Sequence, residues 1–190
     1  MTASTSPALA PSLWEFAIAT YEQPGIAPLC LRLQDEHACD VNLLLCCLWH
    51  GRYFGVIEEA RLREALTWSG PWQERLVAPL RDARRWLKPL ETGDSKGQSL
   101  AELRAQIKAC ELAGERLQLE KLEAILEPGE SAAARHGGSA ADAAQVRFAI
   151  TANLTRLGQF IQADSAGTDD PQALPPLLES LVDCFCAKQP

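Results

Sequence analysis

Nine residues set the terms for the whole chain. Val41–Trp49 reads VNLLLCCLW, with Asn42 as its only strongly polar side chain. A helix that is apolar nearly all round has to be covered on every side by other elements. Asp40 stands just before it, where a carboxylate can accept hydrogen bonds from first-turn N–H groups and oppose the helix dipole. Asp40–Tyr53 is therefore predicted to be the central helix of an all-α domain of seven to eight helices.

The elements that must do the covering are legible around it. Ser12-Leu-Trp-Glu15 has the form of a capping box and predicts a helix to about Glu22, ended by Pro24-Gly25. Ile26, Leu29, Cys30, Leu33 and His37 share one face of a second helix. A fourth is expected from about Ile57 to Trp68, with Ser69-Gly70-Pro71 as a break. Pro71–Lys88 predicts a fifth, with Leu76, Leu80, Ala83, Trp86 and Leu87 on one side and Arg81, Arg84, Arg85 and Lys88 on the other. Pro79 has to kink or split it. Ser99-x-x-Glu102 is a second capping box, opening a long helix from Leu100 to about Leu126, roughly 40 Å in length. Its apolar register slips near Gly114, so its two halves should meet different neighbours. Ala140–Ile161 and a final helix striped by Leu174, Leu177, Leu178, Leu181, Val182 and Phe185 complete the set. That last stripe needs cover from within the chain or from a second copy, which would make a homodimer through the C-terminal helices. The expected organisation is a disordered stretch 1–11, a core bundle 12–90, and long antiparallel helices 98–187 packed on it as one globular unit. Residues 128–139 and 163–171 read as loops.

Composition excludes more than it proposes. The 190 residues carry a net charge of −7, which argues against general affinity for nucleic acid or anionic membranes. No apolar run is long enough to cross a bilayer. The first residues lack the basic start and apolar core of an export signal. Seven cysteines, an odd number that includes adjacent Cys46 and Cys47 in the most apolar helix, suit reduced, buried thiols in a cytoplasmic setting. Phosphate-loop, dinucleotide, nucleophile-elbow and zinc-protease motifs are absent, and the sequence names no reaction and no cofactor.

Three groups of residues could carry chemistry. Cys30 with His37, and Cys46 or Cys47 with His50, have the spacing of paired metal ligands, but they match no zinc knuckle or finger and read as structural. Asn42, Cys46, Trp49, His50 and Tyr53 make a polar-aromatic stripe along the central helix. With Asp35 nearby it could line a small-ligand pocket, or each polar group could have a structural partner. The basic stripe Arg81, Arg84, Arg85, Lys88 lies in a segment where five cations stand against only Glu74 and Asp82. It could dock an acidic protein or a phosphate-bearing ligand, or be neutralised by Glu102, Glu111, Glu115, Glu120 and Glu123 of the long helix.

Three stretches together carry a resemblance: LWEFAIATYEQPGIAPLCLRLQDEHACDVNLLLCCLW from Leu13, PLRDARRWLK, and ELAGERLQLEKLE. In them the chain resembles the proteobacterial DUF2390 family, over roughly Leu13 to Leu126. The most specific part is P-G…C-L-x-L-Q-D…D-V-N-L-L-L. The resemblance implies a bacterial cytoplasmic protein and makes Gln34, Asp35, Asp40 and Asn42 parts of one motif. It brings no activity and no catalytic residue, and it does not account for His50 or the Cys46–Cys47 pair. The leading functional expectation is a non-enzymatic protein-interaction module. The alternative is a ligand-binding or enzymatic pocket around Asp35, Asn42, His50 and Tyr53.

Overall fold

In the computed structural model the described residues are 10–91, 95–127, 140–164 and 173–187. They form eight α-helices and no strand: α1 Leu13–Tyr21, α2 Ile26–His37, α3 Val41–Tyr53, α4 Glu59–Trp72, α5 Ala78–Leu87, α6 Ser95–Leu126, α7 Ala140–Asp164 and α8 Leu174–Cys186. The protein is all-α, as the periodicities require. The loop at 128–139, most of the loop at 163–171, and residues 1–9 lie outside the described residues.

Helix α3 is the axis of the packing. Asp40 caps it, with Oδ1 accepting from the Asn42 N–H at 2.9 Å. Every residue from Asn42 to Gly51 is buried. Helix α7 covers one side, and α1, α2 and α6 cover the rest. The α7 side is a close approach of two backbones. A Cβ on Gly51 would stand 2.5 Å from Ile150 Cγ1 and 2.8 Å from the Ile150 nitrogen, so only glycine lets the helices meet at this distance. Asn153, one turn further along α7, is fully buried and clamps the loop that follows α3. Its Oδ1 accepts from Ile57 N–H at 2.8 Å, and its Nδ2 donates to the carbonyls of Cys47 and Gly55 at 3.3 and 3.2 Å.

Helix α8 resolves the question its stripe raised. All six apolar residues are buried within the chain, against α2 and α7, and Phe185 meets Phe16 edge-on at 5.9 Å. The stripe that suggested a homodimer is thus used inside one chain. One contiguous apolar cluster runs from Leu13 to Phe185.

Several boundaries differ from expectation. Ser69-Gly70-Pro71 does not break the chain: α4 runs through Pro71 to Trp72 and passes into a π-helical turn, Gln73–Val77. The wider turn lets the chain change helical register without leaving the helix. Ser69 is fully buried and hydrogen-bonded in the interior, which ties this stretch to the bundle. Pro79 stands at the second position of α5, directly after the π turn, whose wider winding accommodates a residue with no N–H to give to the preceding turn. Trp86, placed on the apolar side by periodicity, is 67 % exposed, while Val77 and Leu87 are buried. Helix α6 begins at Ser95, so Ser99 lies inside it rather than capping it. Its register slip is real. The first half meets α5 and the short 3-10 turn Lys88–Leu90, whereas Gln118, Leu119, Leu122 and Leu126 of the second half enter the core. At the slip, Gly114 lies against Leu76 and Val77 of the π turn, and its carbonyl accepts from Trp72 Nε1 at 3.1 Å.

Candidate binding cleft

On the side of α3 away from α7, the bundle is polar and incompletely filled. The polar part is centred on Asp40. Beyond its cap bond, Oδ1 accepts from Gln73 Nε2 at 2.9 Å, and Oδ2 accepts from the Ser69 hydroxyl at 2.5 Å and Gln118 Nε2 at 2.7 Å. Gln118 Oε1 accepts in turn from Asn42 Nδ2 at 2.7 Å. One carboxylate thereby joins α3, α4, the π turn and α6. Burial pushes the Asp40 carboxyl above its ordinary range, and the four donors hold it back only in part.

Beside this cluster is an open cleft of about 400 Å³. Val41, Asn42 and Leu45 of α3 form its floor; Trp14, Ile18 and Tyr21 of α1, Leu31 and Gln34 of α2, and Leu112 and Leu119 of α6 form much of its walls. Arg81, Arg84 and Arg85 of α5 stand along it with Lys108, Glu111 and Glu115 of α6 and Glu22 beside α1. Ile18, Leu31 and Leu112 are each at least 40 % exposed, so its edges are apolar and open to solvent. A neighbouring cavity of about 580 Å³ shares Gln34, Arg81 and Arg85 with the cleft and reaches Asp35, Asp40, Glu74 and Asp82.

Within the cleft the basic stripe is largely neutralised. Arg81 donates from Nε to Glu111 at 3.2 Å and from Nη2 to Glu115 at 3.0 Å. Arg84 grips Glu111 with both Nε and Nη2. Arg85 pairs with Asp35 at 3.2 Å, both half exposed. Of the five carboxylates expected to do this, Glu111 and Glu115 are the ones that reach α5. Burial alone would raise the Glu111 carboxyl, but Arg84 and Arg81 outweigh it and hold it below the usual range. Burial wins at Glu115, which stays above that range despite Arg81. Lys88 opens the 3-10 turn after α5, is exposed, and does not line the cleft.

The residues of the expected pocket do not converge. Asn42 lies on the cleft floor and Asp35 in the neighbouring cavity. Trp49 is buried and donates from Nε1 to the Pro11 carbonyl at 2.9 Å. His50 is buried against the end of α3, with Nδ1 2.9 Å from the Gly55 carbonyl, and burial pulls its pKa below the ordinary value. Tyr53 packs edge-on to Phe16 at 6.0 Å. Trp49 and His50 are thus hydrogen-bonded within the fold and Tyr53 packs by its ring, and of the stripe only Asn42 lines the cleft. Among the described residues, no three His, Cys, Asp or Glu side chains gather to hold a metal. All seven cysteines are free, and burial pushes the Cys30, Cys39 and Cys47 thiols up to about 12. Thiols so held are poor nucleophiles.

Periodicity missed Trp14, Tyr21, Ser69, Gln73, Lys108 and Gln118. Gln118 had a usable signal: it sits four residues before Leu122 on the buried face of α6, where a polar residue demands a partner. The others come from four separate elements, α1, α4, the π turn and α6, and only tertiary structure brings them together.

By its class of fold the protein is an all-α helical bundle, with a polar hub at Asp40 and an open amphipathic cleft beside it. The chain belongs to the family described as "Protein of unknown function (DUF2390)", which matches residues 12–122. That span includes every residue lining the cleft. No curated protein and no solved structure matches the chain. No helix among the described residues is long and apolar enough to cross a membrane.

Proposed function

We propose that the protein is a non-enzymatic interaction module of the bacterial cytoplasm, and that the cleft walled by α1, α2, α5 and α6 is its recognition surface. A partner protein inserts an amphipathic segment, burying apolar side chains between Ile18, Leu31 and Leu112 while its polar flank runs along α5. One observation carries this reading. The exposed apolar residues and the arginine stripe, far apart in sequence, border a single cleft. Exposed apolar surface rimmed by charge is the usual form of a protein-docking site.

The cleft volume also falls in the range of small-molecule sites, which keeps a ligand-binding alternative alive at this place rather than around His50 and Tyr53. Photo-cross-linking amino acids at Ile18 and Leu112, with Glu179 on α8 as control, separate the two in cells of the native host. The interaction reading expects one and the same protein adduct from both cleft positions, lost on Leu31→Arg and missing at Glu179. Adducts of small-molecule mass would replace it with the ligand reading, and no specific adduct from either position would remove both.

A further inference from the structure

Most charge in the cleft is already committed. Arg81 has Nε on Glu111 and Nη2 on Glu115, and Arg84 has two donors on Glu111. The side chains of Arg81 and Glu111 are only 13 % and 6 % exposed. Arg85 is held by Asp35. An incoming polyanion would have to draw Arg81 and Arg84 off Glu111, a carboxylate that would then stand desolvated without a partner, an expensive exchange.

Lys108 differs from the arginines. It lines the cleft from α6, is exposed, and has no ion-pair partner among the described residues. Glu22 is the corresponding anion at the end of α1: it lines the same cleft and likewise makes no ion pair among the described residues. Two unpaired charges of opposite sign thus stand on different walls, with the apolar floor of Val41 and Leu45 between the helices. Charges so placed favour one orientation of a bound segment and penalise the reverse.

We infer that the cleft selects a partner segment bearing a single carboxylate beside its apolar anchor, with Lys108 reading that carboxylate and Glu22 repelling the reversed orientation. This rests on the interaction reading above. It also narrows the acidic-partner expectation: the arginines shape the wall, and one lysine does the reading.

The test uses fluorescein-labelled helical peptides with Leu at i, i+3, i+4 and i+7 and a single flanking residue varied among Glu, Gln and Lys. A fourth peptide carries a run of four Glu. Anisotropy on the full chain should show the single-Glu peptide binding about two- to fivefold tighter than the Gln peptide, as suits one exposed ion pair. The advantage should vanish in Lys108→Gln, which should melt like wild type, and shrink as salt rises. The four-Glu peptide should gain little over one Glu. Equal binding of Glu and Gln peptides, an advantage that survives Lys108→Gln, affinity climbing with each added Glu, or no binding by any peptide would each overturn the inference. The two readings fail separately. Cross-links at Ile18 and Leu112 without a Glu preference leave the interaction module standing, whereas absence of cross-links takes down both.

Discussion

Helix α3 meets α7 and α6 in opposite ways. Toward α7 the contact is close: Gly51 lies under Ile150, and Asn153 spends its amide on backbone groups of Cys47 in α3 and of Gly55 and Ile57 after it. Toward α6 the contact is made of side-chain amides, hydroxyls and carboxylates, and part of the space is left open as the cleft. The difference teaches where this fold can tolerate a visitor. A close-packed interface has no room to open without losing the contacts that define it. A polar, partly hollow one can be reshaped at the cost of exchanging hydrogen bonds.

The comparison breaks most directly at Gly51. Gly51→Val drives two γ-methyls into the Ile150 backbone and should cost at least about 3 kcal/mol, read as a lower urea midpoint. A near-neutral result would mean that α7 is free to back away and that the two sides are not different after all.

Next in size is the charge cluster. Arg81→Glu faces Glu111 and Glu115 with a third carboxylate in a mostly enclosed site and should cost about 2–3 kcal/mol. Adding Glu115→Arg should restore part of the loss. Loss without recovery would show that Arg81 acts through packing of its stem rather than through its charge.

Asp40→Asn tests the hub. As a cap alone, Asn should be almost neutral, because it keeps one accepting oxygen. In the hub its amide N–H₂ would point at Gln118 Nε2, which already donates there, so about 1–2 kcal/mol should be lost. The substitution should also change how stability varies with pH. Asp40 and Glu115 are both raised, by burial first, and so bind their protons more tightly folded than unfolded. Their contribution is complete below the ordinary carboxylate value and is lost as pH rises through the raised folded values. Glu111 runs the other way: its lowered value adds stability above the ordinary range that disappears as pH falls through the folded one. Urea midpoints from about pH 4 to pH 7 should therefore fall less steeply with pH in Asp40→Asn than in wild type. Unchanged slopes would show that Asp40 is not the group responsible. At the small end, Arg85→Ala removes a half-exposed pair with Asp35 and should shift stability by less than about 0.5 kcal/mol.

How far the sequence carried depends on which physics was local. The capping box at Ser12 and Glu15, the cap at Asp40 and the stripe on α8 are short-range patterns, and all stand in the fold. Neutralisation of α5 by Glu111 and Glu115 was also within reach, because complementary charges were visible on two helices. The misreadings share a cause. Ser69-Gly70-Pro71 looks like a break because propensity counts what a residue costs alone, and a buried hydrogen bond to Asp40 is not visible to it. The close approach at Gly51 is likewise invisible until Ile150 is known to lie over it. Trp49, His50 and Tyr53 share a helical side, yet each turns to a different structural partner, so spacing on one helix could not say whether a pocket lay there. The cleft takes its lining from α1, α2, α3, α5 and α6, and no single periodicity encodes such a union.

The covering of α3 by α7 also sets an order of events. Residues that bury the Gly51 side of α3 begin at Ala140, and those that close the Phe16 side end near Phe185, so most of the chain must leave the ribosome before its most apolar helix can be enclosed. Until then a nascent chain carries VNLLLCCLW with two of its faces uncovered, the kind of surface that aggregates or recruits chaperones. Synthesis runs ahead of protection by roughly 90 to 130 residues, or about 5 to 25 seconds at ordinary elongation rates. Arrest of translation before α7 should therefore yield a chain held by chaperones, and release should come only as α8 emerges.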